Sequence, residues 1–443
     1  GWVIDSVTVN NGMSGPHEAS ATTKYELQGG FFNVTDREFR GFGYVKETRP
    51  DTNIVKHYFH QDKPRLGMEY RTEILDDNSN LYQLNEQNFS SSFTDGYYIT
   101  LPASQKEYTH EGEMLSPKVR EVTYTYDSYG NPTHIHDHGD VSNPLDGRHE
   151  HITYAYDVAQ WVVGKPIQDT LKDSSNSQII TDTKFYYDSL PFSQIDEGKL
   201  TRQSQWVESG SYRNTDLVYD SFGNIIEQTD ANGHTIYFEY DTTNTFPANI
   251  TNAKGHLTQR EYDLGTGNIL SETDANGFTT SFEYDSFGRQ TKVIMPYDTS
   301  LRPTIEYVYD LDGTAPESAV EKHREQAGTS NTFDIYSFYD GVGNLIQQKQ
   351  DAENNKQIVR NILYDSMGRT VKEGNPSLLT KNSQYVTPSP TELGTKFSYD
   401  SLSRIDLVEN PDSTTVSILF DHWQVTHIDE NGNEIEYTLN ADQ

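Results

Sequence analysis

The chain has 443 residues and a formal net charge of −33 at pH 7, from 67 acidic and 34 basic side chains. This negative charge repels polyanions, which argues against nucleic acid and against an anionic membrane surface as partners. Because the sequence has no run of about eighteen apolar residues, we expect no membrane insertion. Because cysteine is absent, neither disulfides nor thiolate zinc sites are available.

The residues before about position 115 carry no repeat. The first of them, Gly1 to Asp5, alternate as a strand already under way, so we expect the chain to be a piece of a longer protein. We assign 1–115 to a non-repeat β region and 116–443 to a repeat array. The chain contains 30 tyrosines, whose rings suit a sheet with a wet face.

A Tyr-Asp motif recurs through the array, and in most copies glycine follows the tyrosine by four residues. The copies are Tyr126-Asp127 with Gly130, Tyr219-Asp220 with Gly223, Tyr262-Asp263 with Gly267, Tyr284-Asp285 with Gly288, Tyr339-Asp340 with Gly343, Tyr364-Asp365 with Gly368, and Tyr399-Asp400 with Ser403 in place of glycine. Looser copies begin at Tyr156, Tyr187, Tyr240, Tyr309 and Phe420. The spacing is 21 or 22 residues between Tyr219 and Tyr284, and it stretches to 35 between Tyr364 and Tyr399. A period near 21 fits two strands and two turns.

Each part of the motif has a mechanical interpretation. The aspartate caps a turn by accepting backbone N–H bonds, and the glycine supplies a positive φ. We therefore predict positive φ at Gly130, Gly223, Gly288, Gly343 and Gly368. Second turns of the Asn-Gly type lie between the motifs, at Asp230–Gly233, Asp274–Gly277 and Asp429–Gly432.

The sequence thus predicts an all-β protein, an extended antiparallel ribbon of hairpins that must curl because strands twist. The tyrosines of the motif should occupy equivalent positions and stack as a ladder. Glu and Arg at helical spacing favour one helical turn within 316–327.

With these motifs in view, the chain resembles the YD-repeat (Rhs) family. The segment Arg37-Glu38-Phe39-Arg40-Gly41-Phe42-Gly43 is similar to the "EFRGFG" signature of the B components of Tc insecticidal toxin complexes (SpvB/TcdB-like). The stretches 58–62 and 66–71 are similar to the family's sequence before its repeats. The match is therefore closest to the middle region of those B components.

The resemblance implies that the ribbon spirals into part of a hollow shell. In that family the shell encloses a toxic polypeptide and passes it to a pore-forming A component. For this chain it implies a non-catalytic wall segment without cofactor, in a secreted or extracellular bacterial complex that is cytoplasmic before release. Its partners would be the rest of the shell and the enclosed polypeptide. Because each period adds one short strand pair, we expect only a partial turn of shell. The alternative is a YD-repeat adhesin that binds carbohydrate or a cell surface.

Other chemistry is less well supported by the sequence. His134, His136 and His138 would share one face of a strand, as would His149 and His151, and grouped imidazoles can ligate zinc or nickel. The surroundings favour a polar hairpin rim instead. Neither a calcium loop nor a hydrolase motif is present, and no catalytic residue is assigned. The candidate sugar-stacking side chains are Trp2, Trp161, Trp206 and Trp423.

Overall fold

A computed structural model describes residues 3–112, 116–208 and 210–439. These residues contain no α-helix, only the 3₁₀ turns Gly15–His17 and Lys63–Arg65. The strands before the first Tyr-Asp turn are β1 (Ser6–Asn10), β2 (Ser20–Asn33), β3 (Glu38–Thr48), β4 (Ile54–Phe59), β5 (Glu69–Leu75), β6 (Leu81–Thr94), β7 (Tyr97–Thr109) and β8 (Lys118–Tyr126).

The strands of the array are shorter. They are β9 (Pro132–Asp140), β10 (Arg148–Asp157), β11 (Val162–Lys172), β12 (Ile179–Tyr187), β13 (Leu200–Glu208), β14 (Ser211–Tyr219), β15 (Ile225–Thr229), β16 (Thr235–Tyr240), β17 (Pro247–Thr251), β18 (Leu257–Tyr262), β19 (Ile269–Thr273), β20 (Thr279–Tyr284), β21 (Gln290–Ile294), β22 (Ile305–Asp310), β23 (Glu317–Arg324), β24 (Thr332–Tyr339), β25 (Leu345–Ala352), β26 (Lys356–Tyr364), β27 (Thr370–Gly374), β28 (Ser377–Thr380), β29 (Gly394–Tyr399), β30 (Ile405–Glu409), β31 (Thr415–Asp421), β32 (Gln424–Ile428) and β33 (Glu434–Thr438).

Pairing runs antiparallel from each strand to the next along nearly the whole chain. The exception is at β26, whose first half pairs with β28 and whose second half pairs with β27, after which β27 pairs with β29. The all-β ribbon of hairpins predicted from the sequence is therefore confirmed.

A bulge accompanies most Tyr-Asp turns. Glu283 pairs with Lys292, but Tyr284 pairs with Gln290, so one residue of β21 has no partner. The same shift occurs at Tyr219, Tyr262 and Tyr364. Bulges increase the right-handed twist of a strand pair, and a bulge in repeat after repeat gives the ribbon a consistent curl.

The ribbon curls far enough to meet its own beginning. The N–H of Gly341 donates to the carbonyl of Asn11 at 2.7 Å, and Met13 packs against Phe338 and Ile346. The expectation of only a partial turn is therefore wrong. The sheet nevertheless stays open, because these contacts join turns and side chains and, within the described residues, no early strand pairs with a late one.

The hydrophobic core is divided into small clusters. One contains Ala155, Ile167 and Tyr187, and the other is the Met13 cluster at the overlap. A ribbon that is one sheet thick cannot bury both faces, so its stability depends heavily on turn and side-chain hydrogen bonds.

The helical turn predicted within 316–327 is wrong. Residues Glu317–Arg324 form β23, which pairs along its length with β22 and β24. Val320 lies opposite Val308 on one side and Tyr336 on the other. Two long ladders of backbone hydrogen bonds outweigh the small stabilisation from helical Glu-Arg spacing.

The division of the chain near residue 115 stays a prediction. Residue 115 itself lies outside the described residues, and β7 pairs with β8 across this point in one continuous sheet.

Candidate functional site

The Tyr-Asp turns lie together along one edge of the ribbon, here called the YD edge. In an antiparallel meander successive turns alternate between edges, so the Asn-Gly turns lie along the other, here called the second edge. Both edges use the same five-residue device, the Asp turn, which runs from an aspartate to the residue after the positive-φ position.

In the Asp turn one carboxylate oxygen closes the loop. Oδ1 of Asp220 accepts the N–H of Phe222 at 2.8 Å and the N–H of Asn224 at 2.9 Å. Oδ2 accepts the side-chain amide of Asn224 at 3.1 Å. The same pair of backbone bonds to Oδ1 occurs at Asp76, Asp127, Asp230, Asp274, Asp285, Asp340, Asp365, Asp400 and Asp429.

These hydrogen bonds favour the ionised aspartate. The pKa of Asp274 is lowered first by the N–H of Phe278, against a smaller opposing effect of desolvation. The pKa of Asp429 is lowered first by the side chain of Asn433. The aspartates therefore serve as turn caps.

The positive φ predicted from the sequence is confirmed. Gly130, Gly223, Gly288, Gly343 and Gly368 have φ between 78° and 92°. Ser403, which replaces glycine, adopts φ 63° despite the steric cost for a side chain. The turn geometry is thus imposed by the hydrogen bonds of the aspartate even where glycine is absent.

The motif tyrosine ties each hairpin to the one before it. The hydroxyl of Tyr284 donates to the carbonyl of Ile269 at 2.8 Å. Ile269 is the first residue after the preceding Tyr-Asp turn. Equivalent bonds join Tyr219 to Leu200, Tyr240 to Ile225, Tyr262 to Pro247, Tyr309 to Gln290, Tyr364 to Leu345 and Tyr399 to Thr370. The hydroxyls of Tyr126 and Tyr339 make no such bond within the described residues. The prediction that these tyrosines stack is therefore wrong: within the described residues no two motif tyrosine rings are in contact, and the repeats are joined by hydroxyl-to-carbonyl bonds instead.

The residue that completes the Asp turn contacts the following repeat. When it is asparagine, as at Asn224, its amide also donates to the carbonyl of Asn244 at 2.8 Å in the next turn. When it is arginine, the guanidinium bonds to its own aspartate and stacks on the next aromatic ring. Arg289 lies 4.7 Å from the Tyr309 ring centre, Arg369 lies 4.9 Å from Tyr399, and Arg404 lies 3.9 Å from Phe420.

At the overlap, the YD edge of the last repeats stacks on the second edge of the first strands. Arg404 makes two hydrogen bonds to Glu111, from Nη1 to Oε1 at 2.8 Å and from Nη2 to Oε2 at 2.6 Å. These residues are 293 apart in sequence, and the Glu111 side chain is only 6% exposed. We call this contact region the seam.

Three further contacts extend the seam. Arg369 Nη1 lies 3.3 Å from Asp51 Oδ2, and the side-chain amide of Asn11 donates to Asp340 Oδ2 at 3.2 Å. Beyond Glu111, the ammonium group of Lys118 lies 5.4 Å from the centre of the Trp423 ring. Successive Tyr-Asp turns thus meet successive turns of the first strands in the same order.

The segment 37–43, which resembles the family signature, lies in the β2–β3 hairpin, and the side chain of Gln61 binds both strands of that hairpin. Gln61 Nε2 donates to the carbonyls of Gly29 at 2.7 Å and Gly41 at 2.9 Å. A Cβ on Gly43 would lie 3.0 Å from Gln61 Oε1, so a larger side chain there would displace the glutamine. Arg40 is buried and bonds to Asp36. Gln61, from outside the segment, and Arg40, within it, therefore hold the backbone of this region in place.

A buried lysine beneath the 381–393 segment had no signal in the sequence. Lys349 is fully buried, and its Nζ donates to Asn382 Oδ1 at 2.9 Å and to the carbonyl of Gln384. Burial lowers its pKa to about 8. Gln347 and Gln357, also fully buried, bond to the same segment.

The five histidines meet on β9 and β10. His136 lies opposite His149 and His134 lies opposite His151, so the shared faces expected from the alternation are found. Among the described residues no group of three or more histidine, aspartate or glutamate side chains is arranged to hold a metal ion.

The tryptophans are scattered. Trp161 is 73% exposed at a turn, whereas Trp423 is buried at the seam. Trp206 lies in β13, and Trp2 lies outside the described residues. Over the part of the chain that is described, no helix is long and apolar enough to cross a membrane.

Comparison with known proteins agrees with this architecture. Residues 262–300 match the RHS Repeat family, and residues 1–73 match the family described as the insecticide toxin TcdB middle/N-terminal region. No curated protein sequence matches the chain.

Solved structures share the fold. A crystal structure of TcdB2-TccC3 superposes with a TM-score of 0.79 at 13% identity, over 94% of this chain and 31% of that one. A TcdB2-TccC3-Cdc42 complex gives 0.78 at 12% identity, over 94% and 33%. A Tc holotoxin pore of Photorhabdus luminescens with a TccC3 variant gives 0.79 at 12% identity, over 93% and 32%. This chain thus spans about a third of those chains. Its fold is therefore shared with these Tc toxin structures, and its sequence matches the RHS repeat over 262–300 and the TcdB middle/N-terminal region over 1–73.

Proposed function

We propose that the chain is a non-catalytic segment of the wall of a shell that sequesters a toxic polypeptide before delivery. The observation that carries the proposal is the seam, at which the ribbon curls back and its turns stack in register through Arg404 and Glu111. A ribbon that seals against its own earlier strands is suited to enclosing space. The fold shared with TcdB2-TccC3 supports the same conclusion.

The motif residues fit a structural role. The carboxylates of the Asp turns are occupied by backbone N–H groups, and most motif tyrosine hydroxyls are occupied by carbonyls. Groups engaged in this way are poorly placed for acid–base chemistry. We therefore assign the motif no catalytic role, and we propose a secreted toxin complex that is cytoplasmic before release as the setting.

The proposed partners are the rest of the shell, an enclosed polypeptide and a pore-forming component. The test is limited proteolysis of the whole protein that contains this chain, purified with any polypeptide it holds. We expect the held polypeptide to resist protease until the shell is unfolded, and to become sensitive when the seam is broken by Glu111→Lys. Equal cleavage before and after unfolding would refute enclosure, and retention of a specific glycan on an array would favour the adhesin.

A further inference from the structure

The five-histidine cluster on β9 and β10 takes no part in the Asp turns, the tyrosine hydroxyl bonds or the seam. Its rings are in contact across the strand pair. The ring centres of His136 and His149 are 3.8 Å apart and those of His134 and His151 are 4.4 Å apart. Along β9, His136 and His138 are 3.6 Å apart.

The geometry requires that at least one ring of the His134–His149 pair is neutral. His134 Nε2 lies 3.0 Å from His149 Nδ1, and a hydrogen bond between two ring nitrogens needs one protonated nitrogen and one free lone pair. The rings of His134, His149 and His151 are within 6° to 12° of parallel. Nitrogen lone pairs on parallel stacked rings do not converge on one point, which disfavours a shared metal ion.

The neighbouring elements supply little compensating negative charge. On the β8 side, Thr123 Oγ1 lies 3.3 Å from His138 Nε2. Glu121, two residues earlier on β8, pairs with Lys106 of β7 at 3.3 Å. On the β11 side, the residue opposite His149 is Lys172, a like charge to imidazolium. The groups facing the cluster from these strands would therefore not stabilise several protonated histidines.

The remaining neighbours oppose the lowering in part or face away. In the turn after β11, Asn176 Oδ1 lies 2.8 Å from His151 Nε2, and a hydrogen bond to the backbone of Ser174 and, less strongly, the charge of Asp173 raise the pKa of His149 against the larger effect of desolvation. On β9, Asp137 raises the pKa of His136 but bonds to Arg120 and also feels Arg148. On β10, Glu150 interacts with Asp169 of β11.

The net effect of these neighbours is to favour the neutral form of His134, His136 and His149. Desolvation first, and then the neighbouring histidines, lower the pKa of His136 to about 4. The pKa values of His134 and His149 are lowered as well, with desolvation again the largest cause.

We propose that this cluster is a pH-sensitive region of the sheet, at which acidification loosens the pairing of β9 with β10. Above pH 6.5, the ordinary histidine pKa, the imidazoles of His134, His136 and His149 are neutral, and their rings stack. As the pH falls from 6.5 towards about 4, the open hairpin takes up protons that the closed hairpin cannot, so the open form is favoured. The inference concerns this chain alone and does not depend on the proposed enclosure of a polypeptide.

The test is amide hydrogen exchange of the whole chain, read by mass spectrometry at about pH 7.5 and about pH 5. Protection factors are corrected for the pH dependence of the chemical exchange rate. For peptides covering 132–157 we expect protection to fall by a factor on the order of ten or more at the lower pH. Peptides covering 269–294, a hairpin without histidine, should change much less.

The variant His136→Phe with His149→Phe keeps two stacked rings that cannot titrate, and it should abolish the selective loss. If that variant does not fold, His136→Asn alone should reduce the loss. His234→Asn, at an exposed turn where other Asp turns carry asparagine, should leave the loss intact. The proposal is overturned if the wild-type hairpin shows no selective loss, or if the loss survives in the ring variants. It is also overturned if zinc chloride alone strongly protects 132–157 at about pH 7.5, because the cluster would then be a metal site.

Discussion

Replacing Arg404 with alanine tests the seam directly. The change removes both hydrogen bonds to Glu111 and leaves that carboxylate, whose side chain is 6% exposed, without its partner. It also removes the bond to Asp400 and the contact with the Phe420 ring. Loss of one partner of a fully buried ion pair costs about 3–5 kcal/mol, most of it from the charge left behind. Because the Arg404 side chain is 29% exposed, we expect a cost at or below the lower end of that range.

The chain contains a matched control for this variant. Arg289 holds the same position in its turn, bonds to Asp285 at 2.7 Å and stacks on Tyr309, but no carboxylate of another turn of the ribbon contacts it within the described residues. Arg289 also lies 5.2 Å from the exposed Phe287 ring. Arg289→Ala should therefore cost only about 0.5–1.5 kcal/mol, the range of one ion pair and two cation–π contacts near the surface.

Thermal melting measures the stability of the two variants, and hydrogen exchange locates the regions that lose protection. We expect Arg404→Ala to lower the unfolding temperature more than Arg289→Ala. It should also expose residues near 109–112 and 399–405, which are remote in sequence. Equal destabilisation by the two variants would refute the seam, because the shared turn contacts would then account for both. A cycle with Glu111→Gln should give a coupling energy above about 0.5 kcal/mol for the Arg404 pair.

Five further variants test the parts of the repeat and the buried lysine. Tyr284→Phe removes the bond to the carbonyl of Ile269 and should cost about 0.5–1.5 kcal/mol in a denaturant titration, whereas Tyr339→Phe, whose hydroxyl makes no such bond, should cost almost nothing. Gly288→Val at φ 78° should cost about 1–2 kcal/mol from the left-handed backbone, and an unchanged thermal melt would contradict the turn argument. Because the pKa of Asp274 is lowered, its turn should lose stability as the pH falls through that pKa; Asp274→Asn should remove this acid dependence in hydrogen exchange of 272–280, and an unchanged acid profile would count against the cap. The pKa of Lys349 is lowered to about 8, so the stability of the 381–393 segment should rise above about pH 8, and Lys349→Met should flatten that profile.

Local features of this fold were predictable because each is contained within one repeat. The positive φ at Gly130 or Gly288 follows from a five-residue hydrogen-bond pattern, and the sequence displays all five residues. The shared face of His134 and His136 follows from strand alternation. The helical turn predicted for Glu317–Arg324 was wrong, because charge spacing within one segment does not indicate that β22 and β24 pair with it on both sides.

The seam could not be predicted because it depends on accumulated twist. Whether Arg404 meets Glu111 or open solvent is set by the sum of small rotations over more than twenty strand pairs, and no residue encodes that sum. Arginine after the positive-φ position gives no reliable signal either, since Arg289 has the same position but no partner across the seam among the residues that the structure describes. The burial of Lys349 was likewise invisible, because a lysine in an alternating strand is expected to face solvent.

Two kinds of contact stabilise this ribbon: contacts between neighbouring repeats and contacts across the seam. Within the ribbon, the aspartate closes its own turn, the tyrosine binds the preceding repeat and the arginine or asparagine contacts the following one. Such nearest-neighbour contacts make stability nearly additive along the chain, so one weak repeat need not unfold the rest. The seam joins residues 293 apart, so breaking it should uncoil the ribbon while the hairpins persist. Variants at Glu111 should therefore open the coil and leave the strand content unchanged. Variants at Asp285 should instead reduce the strand content and leave the seam contacts in place.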